Sequence, residues 1–243
     1  QYARSTRAGT GGEGYAAAAS FSYAGSVFDP RDNMSVSASL EDITPDFDIR
    51  DIGYIGGTRL DRRGGRGSLG YDYWIKSDRL NRASASVSGW SYRDHGGHIR
   101  TQDGFSGQVS FETRNLVKPG FLFERSYVFL PRTGARYHNT QRTLTLQFGP
   151  YPGFLGLFTA RNGDNYGDAI RYFSAGFTVK PLDRMTVNGS VARLDSKPIG
   201  SGGGYADRVM ANVGFLFLFT PDLYWRSIFQ GDSVDKVYLT NQF

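Results

Sequence analysis

Between Tyr15 and Phe243, apolar residues alternate with small or polar ones in short stretches, each closed by a cluster of Gly, Pro, Asn or Asp. Leu144, Leu146 and Phe148 interleave with Thr143, Thr145 and Gln147; Phe173, Ala175, Phe177 and Val179 interleave with Ser174, Gly176 and Thr178. Successive side chains on a strand point to opposite faces, so each stretch predicts a strand with one apolar and one wettable face. The predicted strands are 15–23, 34–40, 53–61, 67–77, 83–92, 104–112, 121–130, 142–148, 154–160, 169–180, 185–194, 209–219, 223–230 and 237–243. Residues 1–14 are polar and Gly-rich and form a predicted loop or tail.

The connections come in two sizes. Residues 180–184 and 220–222 are tight, with Pro and Asp supplying turn geometry. Residues 93–103, 131–141, 161–168 and 195–206 are longer and rich in Gly, Asn, Asp and His. Short turns at one end and long loops at the other characterise an outer-membrane barrel, whose strands need only about 9–11 residues to cross the bilayer.

The two faces point the same way. Within 67–77, Leu69, Tyr71, Tyr73 and Ile75 oppose Ser68, Gly70, Asp72, Trp74 and Lys76. Within 104–112, Phe105, Val109 and Phe111 oppose Ser106, Gln108, Ser110 and Glu112. A face turned to bulk water would be richer in Lys, Glu and Thr, whereas Ser, Gly, Asn and Gln suit a crowded polar lumen. The expected fold is all-β: an antiparallel up-and-down transmembrane β-barrel over residues 15–243, with about fourteen strands in this chain and more in the closed barrel. Asp72, Lys76, Gln108, Glu112, Gln147, Arg226 and Gln230 are the expected lumen-facing residues. Two strands resist the pattern. Arg125 shares a face with Phe121, Phe123, Tyr127 and Phe129, and Gly214 to Phe219 is apolar on both faces.

Composition adds support. The chain carries 18 Phe and 15 Tyr against 9 Pro, which favours strands and aromatic girdles at a membrane surface. No apolar run reaches the roughly 18 residues of a membrane-crossing helix. The net charge of +5 comes from Arg residues scattered over turns and strand ends, a distribution that does not suit nucleic-acid binding.

Two stretches carry a family resemblance. Ile43-Thr44-Pro45-Asp46-Phe47-Asp48-Ile49-Arg50-Asp51-Ile52-Gly53-Tyr54 resembles a motif of an uncharacterised family of Gram-negative outer-membrane proteins. In that family a C-terminal barrel follows a domain like a family 9 carbohydrate-binding module. Phe219-Thr220-Pro221-Asp222-Leu223-Tyr224-Trp225-Arg226, with Phe229-Gln230 behind it, is similar to the same family's late hairpin. The resemblance implies a bacterial outer-membrane location, lipid as partner, and a carbohydrate-binding-like domain or another chain of one assembly beside the barrel. It also implies that the barrel is incompletely represented, since family members continue beyond the point matching Phe243.

Candidate chemistry is sparse. His95 and His98, behind Asp94, could present imidazoles to a transition metal, but the Gly-rich spacing supplies no third ligand. Among Glu41, Asp42, Asp46, Asp48 and Asp51, the last three are weak candidates for Ca²⁺; the chain lacks an Asp-x-Asp-x-Asp-Gly arrangement, and a turn capped by Asp is preferred. Gly64 to Gly67 and Ser201 to Gly204 precede no helix and are expected to be loops rather than phosphate cradles. His95, His98 and His138 lie in predicted loops without a nucleophile motif, so no enzyme, cofactor or metal is expected. The expected function is an outer-membrane pore, transport conduit or membrane anchor for a partner domain; the alternative is a soluble or surface-exposed β-sandwich that binds glycan or protein.

Overall fold

The computed structural model describes residues 2–6, 13–44, 62–75, 77–95, 97–130, 133–149, 152–199, 206–220, 222–233 and 238–242. All the regular elements among them are strands: β1 (Tyr2–Thr6), β2 (Glu13–Gly25), β3 (Asp32–Ile43), β4 (Arg62–Trp74), β5 (Leu80–Arg93), β6 (Arg100–Thr113), β7 (Val117–Leu130), β8 (Ala135–Phe148), β9 (Phe154–Asn165), β10 (Asp168–Leu182), β11 (Met185–Pro198), β12 (Ala206–Thr220), β13 (Leu223–Asp232) and β14 (Tyr238–Gln242). They form one 14-stranded sheet in the order β1 to β14, each strand hydrogen-bonded to its neighbours in sequence. Twelve strands run 10 to 15 residues, flanked by the five-residue β1 and β14. The all-β, antiparallel, up-and-down expectation holds. A sandwich needs two facing sheets, and this single meander is not that architecture.

Several expected boundaries shift. β1 lies in the stretch expected to be a loop or tail. The strand expected at 53–61 falls outside the described residues, as do Asp46, Asp48, Asp51 and Lys76. Much of the connection expected at 131–141 is the start of β8, and that expected at 161–168 shrinks to the two residues Tyr166 and Gly167. There Asn165 pairs with Asp168, and φ is 50° at Tyr166 and 88° at Gly167, the double positive φ of a type I′ hairpin turn. The contrast of short turns and long loops is therefore weaker than expected, because strands continue where the sequence turns polar.

Gly64 to Gly67 are strand, not loop. A Cβ at Gly64 would stand 2.1 Å from the Ser91 carbonyl oxygen, and one at Gly65 would stand 2.7 Å from Leu40 Cδ2. Glycine is there for close approach of neighbours rather than for turning.

The chain divides into two compact units. The first comprises Gln1–Tyr73, Ser84–Gln108 and Glu124–Asn139; the second comprises Trp74–Ala83, Val109–Phe123 and Thr140–Phe243. In the first, register places Phe21 beside Ala38 and Gly67, and Tyr23 beside Val36 and Leu69. The intervening rows are Ser20, Ser39 and Arg66, then Ser22, Ser37 and Ser68. In the second, the row Leu146, Phe158, Ala175, Val191 and Ala211 alternates with Thr145, Thr159, Ser174 and Ala192. One face of each unit is thus apolar and the other small and polar.

No large side chain is fully buried among the described residues. The apolar face is open instead: Phe21 is 61% exposed, Leu40 65%, Leu144 57% and Phe229 50%. A water-soluble fold of this size would hide such residues in a core.

Turns are fixed by polar side chains. The Asp32 carboxylate accepts from the backbone N–H groups of Val27 (2.9 Å), Phe28 (2.8 Å) and Asp29 (3.1 Å). Asp29 grips Arg31 through both Nε and Nη2, which raises the guanidinium pKa above its ordinary value. Asp94, also buried, accepts from the Ile99 N–H at 2.7 Å across the β5–β6 turn.

Candidate functional site

The polar face is the candidate site, and alternation alone assigns its members. In the first unit it begins as a hydroxyl ladder: Ser37 Oγ meets Ser68 Oγ at 2.7 Å, and Ser88 Oγ meets Ser106 Oγ at 2.8 Å. Asp72 belongs to this ladder and accepts from the Ser84 hydroxyl. Gln108 stands two residues from Ser106, on the same side of β6 and exposed. Small serines leave room, and the space is taken up by a pocket of about 360 Å³ among Arg66, Trp90, Tyr92, Gln102 and Glu124. Sequence reading did not single out these five residues. The signal was present: Trp90 and Tyr92 occupy the Ser84, Ser86, Ser88 parity of β5, large rings among hydroxyls.

In the second unit the same kind of face is more mixed. Arg82 lies 3.9 Å from Glu112 and 5.4 Å above the Trp74 ring, so Glu112 is partnered. Arg161 Nε donates to Thr143 Oγ1 at 3.3 Å, and Ser190 donates to Asn212 Oδ1 at 3.1 Å. Gln147 is exposed and sits opposite Leu157; Gln230 is exposed and sits opposite Asn212. Arg226, opposite Leu216, borders a pocket of about 550 Å³ with Leu216, Leu218 and Ile228. The apolar run at the end of β12 thus does place leucines on the otherwise polar side. A Cβ at Gly214 would come within 2.1 Å of Asn188 Oδ1, so this glycine makes room for the amide lying across it.

Arg125, the charge on the apolar side of β7, borders a pocket with Arg100, Asp103, Phe105, Tyr127 and His138. The Arg100 guanidinium lies 4.4 Å above the Tyr127 ring, and Asp103 accepts from Arg100 at 3.1 Å. Charges and amphipathic rings together mark this stretch of β7 as polar surroundings, not an unbroken hydrocarbon face.

Of the candidate metal residues, Asp46, Asp48 and Asp51 lie outside the described residues, and the others are engaged separately or exposed. His95 Nδ1 is 2.8 Å from Asp42 Oδ1, His98 is exposed, and Glu41 engages Arg62. Among the described residues, no group of three His, Cys, Asp or Glu could hold an ion.

No protein-family model matches the sequence, and no curated protein matches it. A similar solved structure is OmpTdeltaL8, a loop L8 deletion mutant of OmpT, an outer membrane protein of Vibrio cholerae. The two share 9% identity at a TM-score of 0.46 over 99% of this chain and 93% of that one. The family resemblance drawn from residues 43–54 and 219–230 stands on those residues alone.

The expectation that the chain is not an enzyme is withdrawn. It rested on the lack of a contiguous nucleophile motif, and that lack does not exclude an activity. Catalytic constellations are defined by geometry, and on a meander of long strands their members come from separate strands with no motif between them.

Proposed function

We propose that the chain is a bacterial outer-membrane β-barrel whose apolar face meets lipid and whose polar face lines a passage for small polar solutes. One observation supports this best: large apolar side chains stand exposed along one face of a single meander sheet while, among the described residues, no large side chain is fully buried. Lipid is the solvent in which that face is stable, and strands of 12 to 15 residues exceed the roughly 9–11 needed to cross. Asp72, Gln108, Glu112, Gln147, Arg226 and Gln230 are the proposed lumen residues. Two carboxylates and one guanidinium are mixed among them, so the passage would select weakly between cations and anions.

The refolded full chain should show heat-modifiable migration on a gel and step conductances in a planar bilayer, with a reversal potential near zero in a salt gradient. A chain that stays monodisperse in buffer without detergent would exclude the barrel. A heat-modifiable chain that never conducts would exclude the open passage and leave a membrane anchor.

A further inference from the structure

Across β8, β9 and β10, register sets Arg142, Asn162 and Arg171 side by side on the apolar face. One row further in, on the same face, stand Leu144, Ala160 and Phe173. Two pockets open on these rows and share Arg142 and Asn162. A polar one of about 290 Å³ lies between Arg142, Arg171 and Asp164. An apolar one of about 200 Å³ lies between Phe121, Leu144, Ala160 and Phe173. We propose that this pair of pockets is a site for a phosphorylated lipid, its phosphate held by Arg142 and Arg171 and an acyl chain lying in the slot between Phe121, Leu144 and Phe173. The site rests on the membrane-barrel reading above.

Charge and spacing choose the occupant. Arg142 and Arg171 sit two strands apart, about 9–10 Å between backbones, so both side chains can converge on one phosphate between them. Guanidinium holds phosphate through paired N–H donors. Arg142 has no ion-pair partner among the described residues. Asp195, which stands opposite Arg171 on the next strand, is itself engaged by Arg193 at 2.8 Å, and Arg193 also lies 3.7 Å from Asp207. A charge on a lipid-facing surface is tolerated near the headgroups and not at the midplane, which sets this row at phosphate depth. Asp164 borders the polar pocket beyond the arginine row and confines the anion to the arginine pair.

The test uses the refolded full chain in phosphatidylcholine vesicles containing bisphosphorylated lipid A, with bound lipid counted by native mass spectrometry and insertion read separately by heat-modifiable migration. Wild type should retain lipid A saturably. The double variant Arg142→Gln, Arg171→Gln should insert equally well and bind it about tenfold more weakly or worse. Arg208→Gln, on the other face of β12, should bind as wild type does. Dephosphorylated lipid A should bind as weakly to wild type as the intact lipid does to the double variant. Equal lipid A binding by wild type and the double variant, both inserted, would overturn the site and leave the barrel standing. Displacement of lipid A by inorganic phosphate would also overturn it, marking a free-anion site. A chain that inserts in no vesicle would remove both readings.

Discussion

In β2 to β4 the row Ser22, Ser37, Ser68 alternates with the row Tyr23, Val36, Leu69. In β11 to β13 the row Thr186, Leu216, Arg226 alternates with the row Met185, Phe217, Trp225. The second row of each pair is the same kind of surface, large and apolar, as the proposed contact with lipid requires of both units. The first rows differ: three hydroxyls in one region, a leucine beside a guanidinium in the other. On the proposed reading the apolar face answers to one solvent, whereas each part of the polar face answers to its own local contents.

The sharpest way to break the comparison is to exchange what the faces tolerate. Val191 and Ser190 are adjacent on β11 and point to opposite sides. Val191→Arg should cost about 2–4 kcal/mol in urea unfolding from vesicles, the penalty of a lipid-facing charge at depth. Ser190→Arg should stay within about 0.5 kcal/mol, as polar-surface changes do. Equal costs would mean the faces are not distinguished by lipid.

Next in size is Gly64→Val in β4. The added Cβ meets the Ser91 carbonyl and Tyr92 Cα, both backbone, so the cost should be about 1–3 kcal/mol by the same measurement. A neutral result would show that β4 and β5 are not held this closely.

Leu216→Ser sharpens the contrast by giving β12 the hydroxyl that β2 to β4 already have. Its stability change should be below about 1 kcal/mol, since one side of the pocket is open and its apolar contact incomplete. Single-channel conductance should rise, and an unchanged conductance would place the constriction elsewhere.

The smallest effect is expected at the β9–β10 turn. Tyr166 is exposed at φ 50°, a conformation Asn adopts more readily. Tyr166→Asn should stabilise by about 0.5 kcal/mol, read as a small shift in the urea midpoint.

Alternation made the strands and their faces legible wherever one face is apolar and the other small and polar. It failed where both faces carry polar side chains. Arg136, His138 and Thr140 extend β8, and Asn162 and Asp164 extend β9, without apolar contrast; only backbone pairing makes these residues strand. The site followed the same rule. Asp72, Gln108 and Glu112 were marked by parity among apolar neighbours, and Trp90 and Tyr92 were passed over because large rings on a polar face look like the opposite face. Arg142 and Arg171 are 29 residues apart in sequence, and only the register of three strands makes them neighbours.

The sheet order has a consequence for how such a chain changes over generations. Since each strand pairs only with the strands before and after it, a duplicated or deleted hairpin requires no other strand to find a new partner. Sheet width becomes a heritable variable, adjustable two strands at a time, while the alternation of apolar and polar faces in every remaining hairpin is left as it was.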